Sequence, residues 1–287
     1  MADLIIGAAG FLASELARQL HASGRNLLGA IQTSVVLQPG LWEGILPMPA
    51  ALDAIEHLPN LDVVYLLASA IPYAAMDTMT AALQAANVGL PTQVAAALQN
   101  RQAGGLPPAR LVFASSTAVY GKVPSALPIF ETTPLALASA YGQTKLAGEQ
   151  AAHAYPDTVS LRFSSLYGPG MVDSTFLPRL VAQAKSGNTL TIYGTGSRQQ
   201  DYLHVADAAT MLIAASKAQP GIYLGVNGTA YSNLDVAKCI ARLVGGIPVH
   251  FAGEDNANSW VYDPSFSQKA LGFAAQIGLE QGLITLL

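Results

Sequence analysis

A chain of 287 residues that is 51% hydrophobic, only 11% charged and net −4 can bury a sizeable core, in one large domain or two unequal lobes, and its composition argues against disorder. Its fourteen Lys and Arg are scattered, which argues against a nucleic-acid partner, because that affinity rests on clustered cations. The single cysteine, Cys239, forbids an internal disulfide and, set in the apolar helical pattern "LDVAKCIARLV", is expected to be a buried, inert thiol.

The opening stretch "LIIGAAGFLASELARQL", residues 4–20, has no cation before Arg18 and follows Asp3, so it does not read as a leader. No charge-free apolar run reaches the roughly 18 residues of a membrane span. The expectation is a soluble, cytoplasmic protein with no membrane partner. The same stretch reads as a strand, a glycine turn and a helix. Gly7 permits a tight turn, Gly10 lets the main chain approach a pyrophosphate, and the helix start turns free N–H groups toward an anion.

Further along, "DLIIG", "NLLGAI", "DVVYLLA", "RLVFASS" and "TVSLRFSSLYG" read as buried strands. "FLASELARQLHAS", "MDTMTAALQAANVGLPTQVAAALQN" and "AYGQTKLAGEQAAHAY" read as helices, the second with a kink or break near Gly89 and Pro91. Continuous apolar strands separated by helices predict an α/β fold, a parallel sheet covered on both faces. The segment "LWEGILPMPA" with Trp42 reads as a loop over one side of the ligand or as an oligomer contact. From about residue 167 the elements become shorter and richer in Gly, Pro and Ser. The predicted division is residues 1–166 as the dinucleotide-binding domain and 167–287 as mainly a substrate lobe, with some elements returning to the sheet.

Two fragments carry reactive groups. "YGQTK" sets Tyr141 and Lys145 four apart on one helix face. A nearby ammonium, together with the positive ring of an oxidised nicotinamide, favours the phenolate, and such a tyrosine can exchange a proton with an alcohol or ketone oxygen. "RLVFASSTAVYG" ends a strand at the carboxyl edge of the sheet, where open α/β sheets bind ligands. Ser116 there can donate to the same oxygen, with Ser115 and Thr117 as rivals on spacing alone. The second strand ends at Gln32, Thr33 and Ser34 with neither an acid for a ribose diol nor an arginine for a 2′-phosphate, Arg25 being at its far end. NAD and NADP therefore both stay open. The five histidines show no metal-ligand spacing, so no metal is expected.

In this order, the glycine turn, "SSTAVYG", "YGQTK", "LRFSSLYGPG", "YGTGSRQQDYLHVADAA" and "DPSFSQKALGF" resemble the extended short-chain dehydrogenase/reductases, the group that holds NAD-dependent sugar-nucleotide epimerases and dehydratases. The resemblance spans nearly the whole chain. It implies a Rossmann-type, doubly wound parallel sheet with a smaller C-terminal substrate lobe. It also implies Tyr141 as acid/base, Lys145 as its partner and ribose ligand, and Ser116 as the polarising hydroxyl. Cofactor contacts then fall to Gly7, Ala9, Gly10, Phe11, Leu12, Gln32 and the loop residues Leu67, Ala68 and Ser69, besides Tyr141 and Lys145. Substrate contacts fall to Ser116, Thr117, Tyr120, Ser165 and Arg198, while Asn87 braces the active-site backbone. His204 is expected to join the second lobe to the first. A homodimer through the two long helices beside the active strand is also implied.

Several places depart from the family pattern. Thr117 and Ala118 stand where dehydratases carry Asp and Glu, which disfavours dehydration. Gln200 stands where an arginine grips the substrate diphosphate, "AGEDNANSW" lacks the second arginine, and Ser165 replaces a usual asparagine. Arg198, Arg179 and Lys185 are the cations left to serve a phosphate. The expected activity is hydride transfer at a secondary alcohol or ketone carbon of a sugar or nucleotide-sugar-like substrate. The alternatives are a ketoreductase of a small non-nucleotide substrate and a catalytically silent cofactor-binding scaffold.

Overall fold

The structure is a computed structural model that describes residues 1–32, 37–71, 78–121, 128–171 and 175–287. The five apolar runs form β1 (Ala2–Ile6), β2 (Asn26–Ile31), β4 (Leu61–Leu66), β5 (Arg110–Ser116) and β6 (Thr158–Phe163). Two strands not read from the sequence, β3 (Gly44–Pro47) and β10 (Gly221–Gly225), complete a seven-stranded parallel sheet in the order β10-β6-β5-β4-β1-β2-β3. β1 and β6 are buried at every position, which is why they lack the alternation of a half-exposed strand. Leu4 and Ile6 face one core with α2 (Met48–His57), α4 (Leu90–Ala103) and α5 (Ala140–Ala152), while Ile5 faces the other with α1 (Phe11–Ala22) and α7 (Val205–Ala215). Strand order reverses between β1 and β4, so a crevice opens beyond their carboxyl ends. That is where a doubly wound sheet binds ligands.

The segment read as a loop around Trp42 instead contributes β3 and opens α2. β3 is four residues long and ends in proline, too short a pattern to stand out from its Gly- and Pro-rich surroundings. Trp42 packs over β2, where a Cβ on Gly29 would lie 2.9 Å from its ring.

The long helical stretch after β4 is α3 (Ala81–Gln84), a π-helical turn over Ala85–Gly89, and α4. The predicted irregularity near Gly89 and Pro91 is this turn. Pro91 has no N–H for the carbonyl of Asn87 four residues back. α5 uses the released space: a Cβ on Gly148 would lie 1.9 Å from the Asn87 carbonyl oxygen. Gly148→Ala is therefore expected to destabilise the protein by about 1–3 kcal/mol or more through overpacking, read as a fall in denaturation midpoint at unchanged m-value.

"TVSLRFSSLYG" is one run in sequence and two strands in space. Ser164 ends β6, and β7 (Ser165–Tyr167) joins β9 (Gln199–His204) and β11 (Ala230–Ser232) in a separate sheet. A third core lies between α6 (Phe176–Lys185), α8 (Asn233–Leu243) and α10 (Leu279–Ile284), with the pair β8 (Leu190–Tyr193) and β12 (Val249–Ala252) at its side. Cys239 is half-buried at the edge of this core rather than fully buried, and burial raises its thiol pKa. β10 and α7 return to the large sheet, and α9 (Ser265–Leu271) closes on β10 through Ser267, whose hydroxyl accepts from the Leu224 N–H at 2.7 Å. Among the described residues no helix is long and apolar enough to cross a membrane.

Candidate active site

A cavity of about 730 Å³ opens at the carboxyl ends of β1, β2 and β4, lined in part by Gly7, Ala9, Gly10, Gln32, Leu67, Ala68 and Ser69. Gly7 has φ +91°, and a Cβ there would lie 2.7 Å from the Ala68 nitrogen. Only glycine lets these two loops cross so closely. Gly10 precedes α1 and offers no side-chain cap, so the first-turn N–H groups, those of Phe11 and Leu12 among them, have no intrahelical acceptor and can meet an anion. Leu12 packs into the core, and neither Phe11 nor Leu12 lines the cavity with its side chain. The described lining carries no charged residue. Thr33 and Ser34 lie outside the described residues, and Arg25 is at the other end of β2, bonded to Asp3 and Asp62. The cavity's size suits a large ligand, and its bare glycine cradle fits the pyrophosphate of a dinucleotide. The sequence reading missed the far wall, where Ala82, Ala86, Gln93 and Met48 stand. The small residues of "AALQAANVG" are the signal for it.

A second cavity of about 240 Å³ is lined by Ser116, Thr117, Ser165, Arg198, Gln200, Asp201, Trp260 and Tyr262, among others. Tyr141 stands between the two cavities, its phenol beside Ser69, which lines the first, and Ser116, which lines the second. Its helix is held in register locally. Ser139 caps α5 by accepting from the Gly142 N–H at 2.9 Å, and Gly142 lies so near the Ala118 carbonyl that a Cβ would come within 2.5 Å. Of the three hydroxyls left open by spacing, Ser116 is the one beside the phenol. Thr117 lies beside Tyr262, and the Ser115 hydroxyl is buried without a hydrogen-bond partner among the described residues. Ser116 also accepts from the Ala118 N–H at 3.2 Å, capping a 3-10 turn over Thr117–Tyr120.

Burial pushes the Tyr141 phenol above its usual pKa, and the opposing pull comes from Ser116 and then Ser69. Lys145 lies one turn further on, fully buried, its ammonium donating to the Ala114 carbonyl at 2.5 Å and sitting 4.6 Å from the Phe113 ring centre. Burial pushes Lys145 down to about 8, and the Glu149 carboxylate opposes that shift. Glu149 is forked by Arg162, at 2.7 and 3.0 Å.

Tyr120, implied as a substrate contact, does not line the second cavity. It has no exposure, its hydroxyl accepts from Arg162 at 3.0 Å, and its ring stacks under that guanidinium. The strand-end turn that exposes Ser116 carries Tyr120 back into the core. Gln200, at the family's arginine position, spends its amide on the Tyr202 hydroxyl and Asn233. Arg198 does reach the second cavity, its Nε donating to the Asn258 carbonyl at 3.0 Å, whereas Arg179 and Lys185 are exposed and outside it. Asp201, Trp260 and Tyr262 were not singled out. Asp201 is buried and accepts from Ser164, the Asn227 N–H and the Gly228 N–H, and burial raises its pKa. Trp260 stacks on Tyr262. Asn87 fills all its hydrogen bonds, to Ser69, both main-chain groups of Ala70 and Thr144, and so braces the loop under Tyr141. His204 caps α7 through the Ala206 N–H, a role within the fold. Among the described residues no three His, Cys, Asp or Glu side chains gather as a metal site.

A doubly wound parallel sheet with a glycine cradle at its switch point and a Ser–Tyr–Lys set beside it defines a Rossmann-type, dinucleotide-binding class of protein. Residues 4–224 match the NAD dependent epimerase/dehydratase family, and the chain belongs to that family. It is 31% identical over 185 residues to the uncharacterized UDP-glucose epimerase YtcB of Bacillus subtilis, covering 60% of this chain and 57% of that protein. It is 32% identical over 206 residues to the UDP-glucose 4-epimerase of the same organism, covering 60% of each. The chain thus spans less than two thirds of the length of these relatives. Among solved structures, MoeE5 in complex with UDP-glucose and NAD is 28% identical with a TM-score of 0.84, over 100% of this chain and 97% of that one.

Proposed function

We propose that the protein is an NAD-dependent oxidoreductase or epimerase that interconverts a secondary alcohol and a ketone on a nucleotide sugar or a related sugar. The observation that carries this reading is the place of the Tyr141 phenol, between Ser69 of the first cavity and Ser116 of the second. In this reading Gly7, Ala9, Gly10, Gln32, Leu67, Ala68 and Ser69, with the first-turn N–H groups of Phe11 and Leu12, hold the dinucleotide, and Lys145 faces its ribose. NAD, when bound, supplies a hydride acceptor. Tyr141 takes the proton of the substrate hydroxyl, Ser116 hydrogen-bonds the same oxygen as charge develops there, and Ser165 and Arg198 hold the remainder of the substrate. NAD is favoured over NADP because the described lining has no cation for a 2′-phosphate.

Dehydration is disfavoured. Thr117 and Ala118 occupy the acid/base positions, and both oxygens of Asp201, the carboxylate in the described lining of the second cavity, already accept hydrogen bonds. The reading includes the division into residues 1–166 and 167–287 and a cytoplasmic homodimer paired through α4 and α5. Its test is turnover with UDP-glucose, UDP-glucuronic acid, dTDP-glucose, free sugars and simple ketones, each with NAD and with NADP. Activity on a nucleotide sugar, with NAD preferred at least about tenfold, is expected. Tight NAD binding with no turnover of any of these would favour the scaffold.

A further inference from the structure

Two neighbouring strands of the large sheet, β6 and β10, run on into the small sheet as β7 and β11, which flank β9 on its two sides. Ser164 alone separates β6 from β7, and residues 226–229 separate β10 from β11. The crossings start side by side, for the Ser164 N–H donates to the Gly225 carbonyl at 3.1 Å.

Asp201, on the central strand β9, receives donors from both crossings. Its Oδ1 accepts from the Ser164 hydroxyl at 2.5 Å and the Asn227 N–H at 2.9 Å, and its Oδ2 accepts from the Gly228 N–H at 2.7 Å. Two successive main-chain N–H groups thus converge on one carboxylate, as in an anion-binding turn. Gly228 has φ +89°, and a Cβ there would lie 2.7 Å from Pro264 Cγ, so the turn requires glycine. The carboxylate is 2% exposed, and the three donors that hold it are all neutral.

These bonds meet in the lining of the second cavity. Phe163 is in register with Ser116 in the large sheet, and one residue later the chain leaves that sheet at Ser164. Ser116 and Thr117 form the wall that belongs to the large sheet, while Ser165, Gln200 and Arg198 form the wall that belongs to the small one. Trp260 goes with the second wall, since its N–H donates to the Gln199 carbonyl at 2.8 Å.

We propose that Asp201 is a positioning residue, the clasp that holds both crossings to β9 and so sets the spacing of the two walls of the second cavity. This role rests on the reading of that cavity as the substrate site. Asp201 acts there through Ser165 and Arg198, not on the reacting atoms. Tyr141, Ser116 and the glycine cradle stand on the large-sheet side, so loosening the clasp weakens the hold on substrate and spares the cofactor.

The test compares wild type, Asp201→Asn, Ser164→Ala and the double variant. Asp201→Asn keeps the shape and removes the charge, and in either amide orientation its NH2 group faces a main-chain N–H, that of Gly228 or that of Asn227. The first measurement needs no substrate: acrylamide quenching of Trp260, each protein set against its own Trp260→Phe form, is expected to rise in Asp201→Asn and by less in Ser164→Ala. The second is steady-state kinetics on the best substrate of the panel above. Asp201→Asn is expected to raise KM about tenfold, with kcat and NAD affinity near wild type. Adding Ser164→Ala to it is expected to cost little more, because both changes sever one link. Unchanged quenching in Asp201→Asn would overturn the role, with or without turnover. Raised quenching at unchanged KM would overturn it too, leaving Asp201 a brace of the fold, as would matching losses of substrate and NAD affinity. Should Asp201→Asn fail to fold, Ser164→Ala is judged by the same outcomes. Raised quenching in proteins that turn over nothing would sustain the clasp and count against the proposed activity instead.

Discussion

Tyr141→Phe is expected to lower kcat by about 10²–10⁴-fold while leaving NAD affinity and the denaturation midpoint near wild type. The change removes one oxygen, which lies beside Ser116 and Ser69. Both serines keep an alternative partner, the Ala118 N–H for Ser116 and Asn87 for Ser69, so neither is stranded. The ring stays, and with it the packing of α5. What is lost is the group proposed to take the substrate proton. A steady-state assay on the best substrate from the panel above, with NAD binding followed separately, checks this. A variant with more than about a tenth of wild-type kcat would mean that another group moves the proton.

Glu149→Ala is expected to cost about 3–5 kcal/mol of stability, because it leaves the Arg162 guanidinium buried without its carboxylate. The side chains of Arg162 and Glu149 are 5% and 2% exposed and meet through two hydrogen bonds. Arg162 also supports Tyr120 and the Glu131 carbonyl, so losing its anchor loosens the turn behind Ser116. Replacing both partners, Glu149→Leu with Arg162→Met, is expected to recover most of the loss, since well-packed apolar groups substitute for a buried pair better than half a pair does. Urea denaturation of the three proteins measures this. Without Glu149 the Lys145 ammonium also loses the charge that opposes its downward shift.

The parallel sheet was legible because its strands are buried on both faces and read as unbroken apolar runs between helical patterns. β10 was not: "GIYLG" is five residues, starts and ends in glycine, and follows an α-helix that packs on α1 from outside the first half of the chain. β6 and β7 merged in sequence because Ser164, which separates them, is polar only through a hydroxyl that the fold spends on Asp201. At the site, the glycine turn and the Tyr–Lys spacing carried their meaning in one dimension. Spacing could not choose among Ser115, Ser116 and Thr117, since that choice is made by strand pleat and by the 3-10 turn. Nor could it foresee Asp201 and Trp260 arriving at the second cavity from far along the chain. The ammonium four residues from the phenol lies on the same helix face, and its hydrogen bond goes to a strand carbonyl.

The central claim is that the Tyr141 hydroxyl stands where a bound nicotinamide and the reacting carbon meet. A crystal structure of the protein with NAD and a nucleotide sugar tests it most directly. The account predicts the pyrophosphate over the turn at Gly7 and Gly10, and the phenol oxygen within hydrogen-bonding reach of a sugar hydroxyl whose carbon faces the nicotinamide. A dinucleotide bound elsewhere, or a phenol out of reach of the sugar, would contradict it.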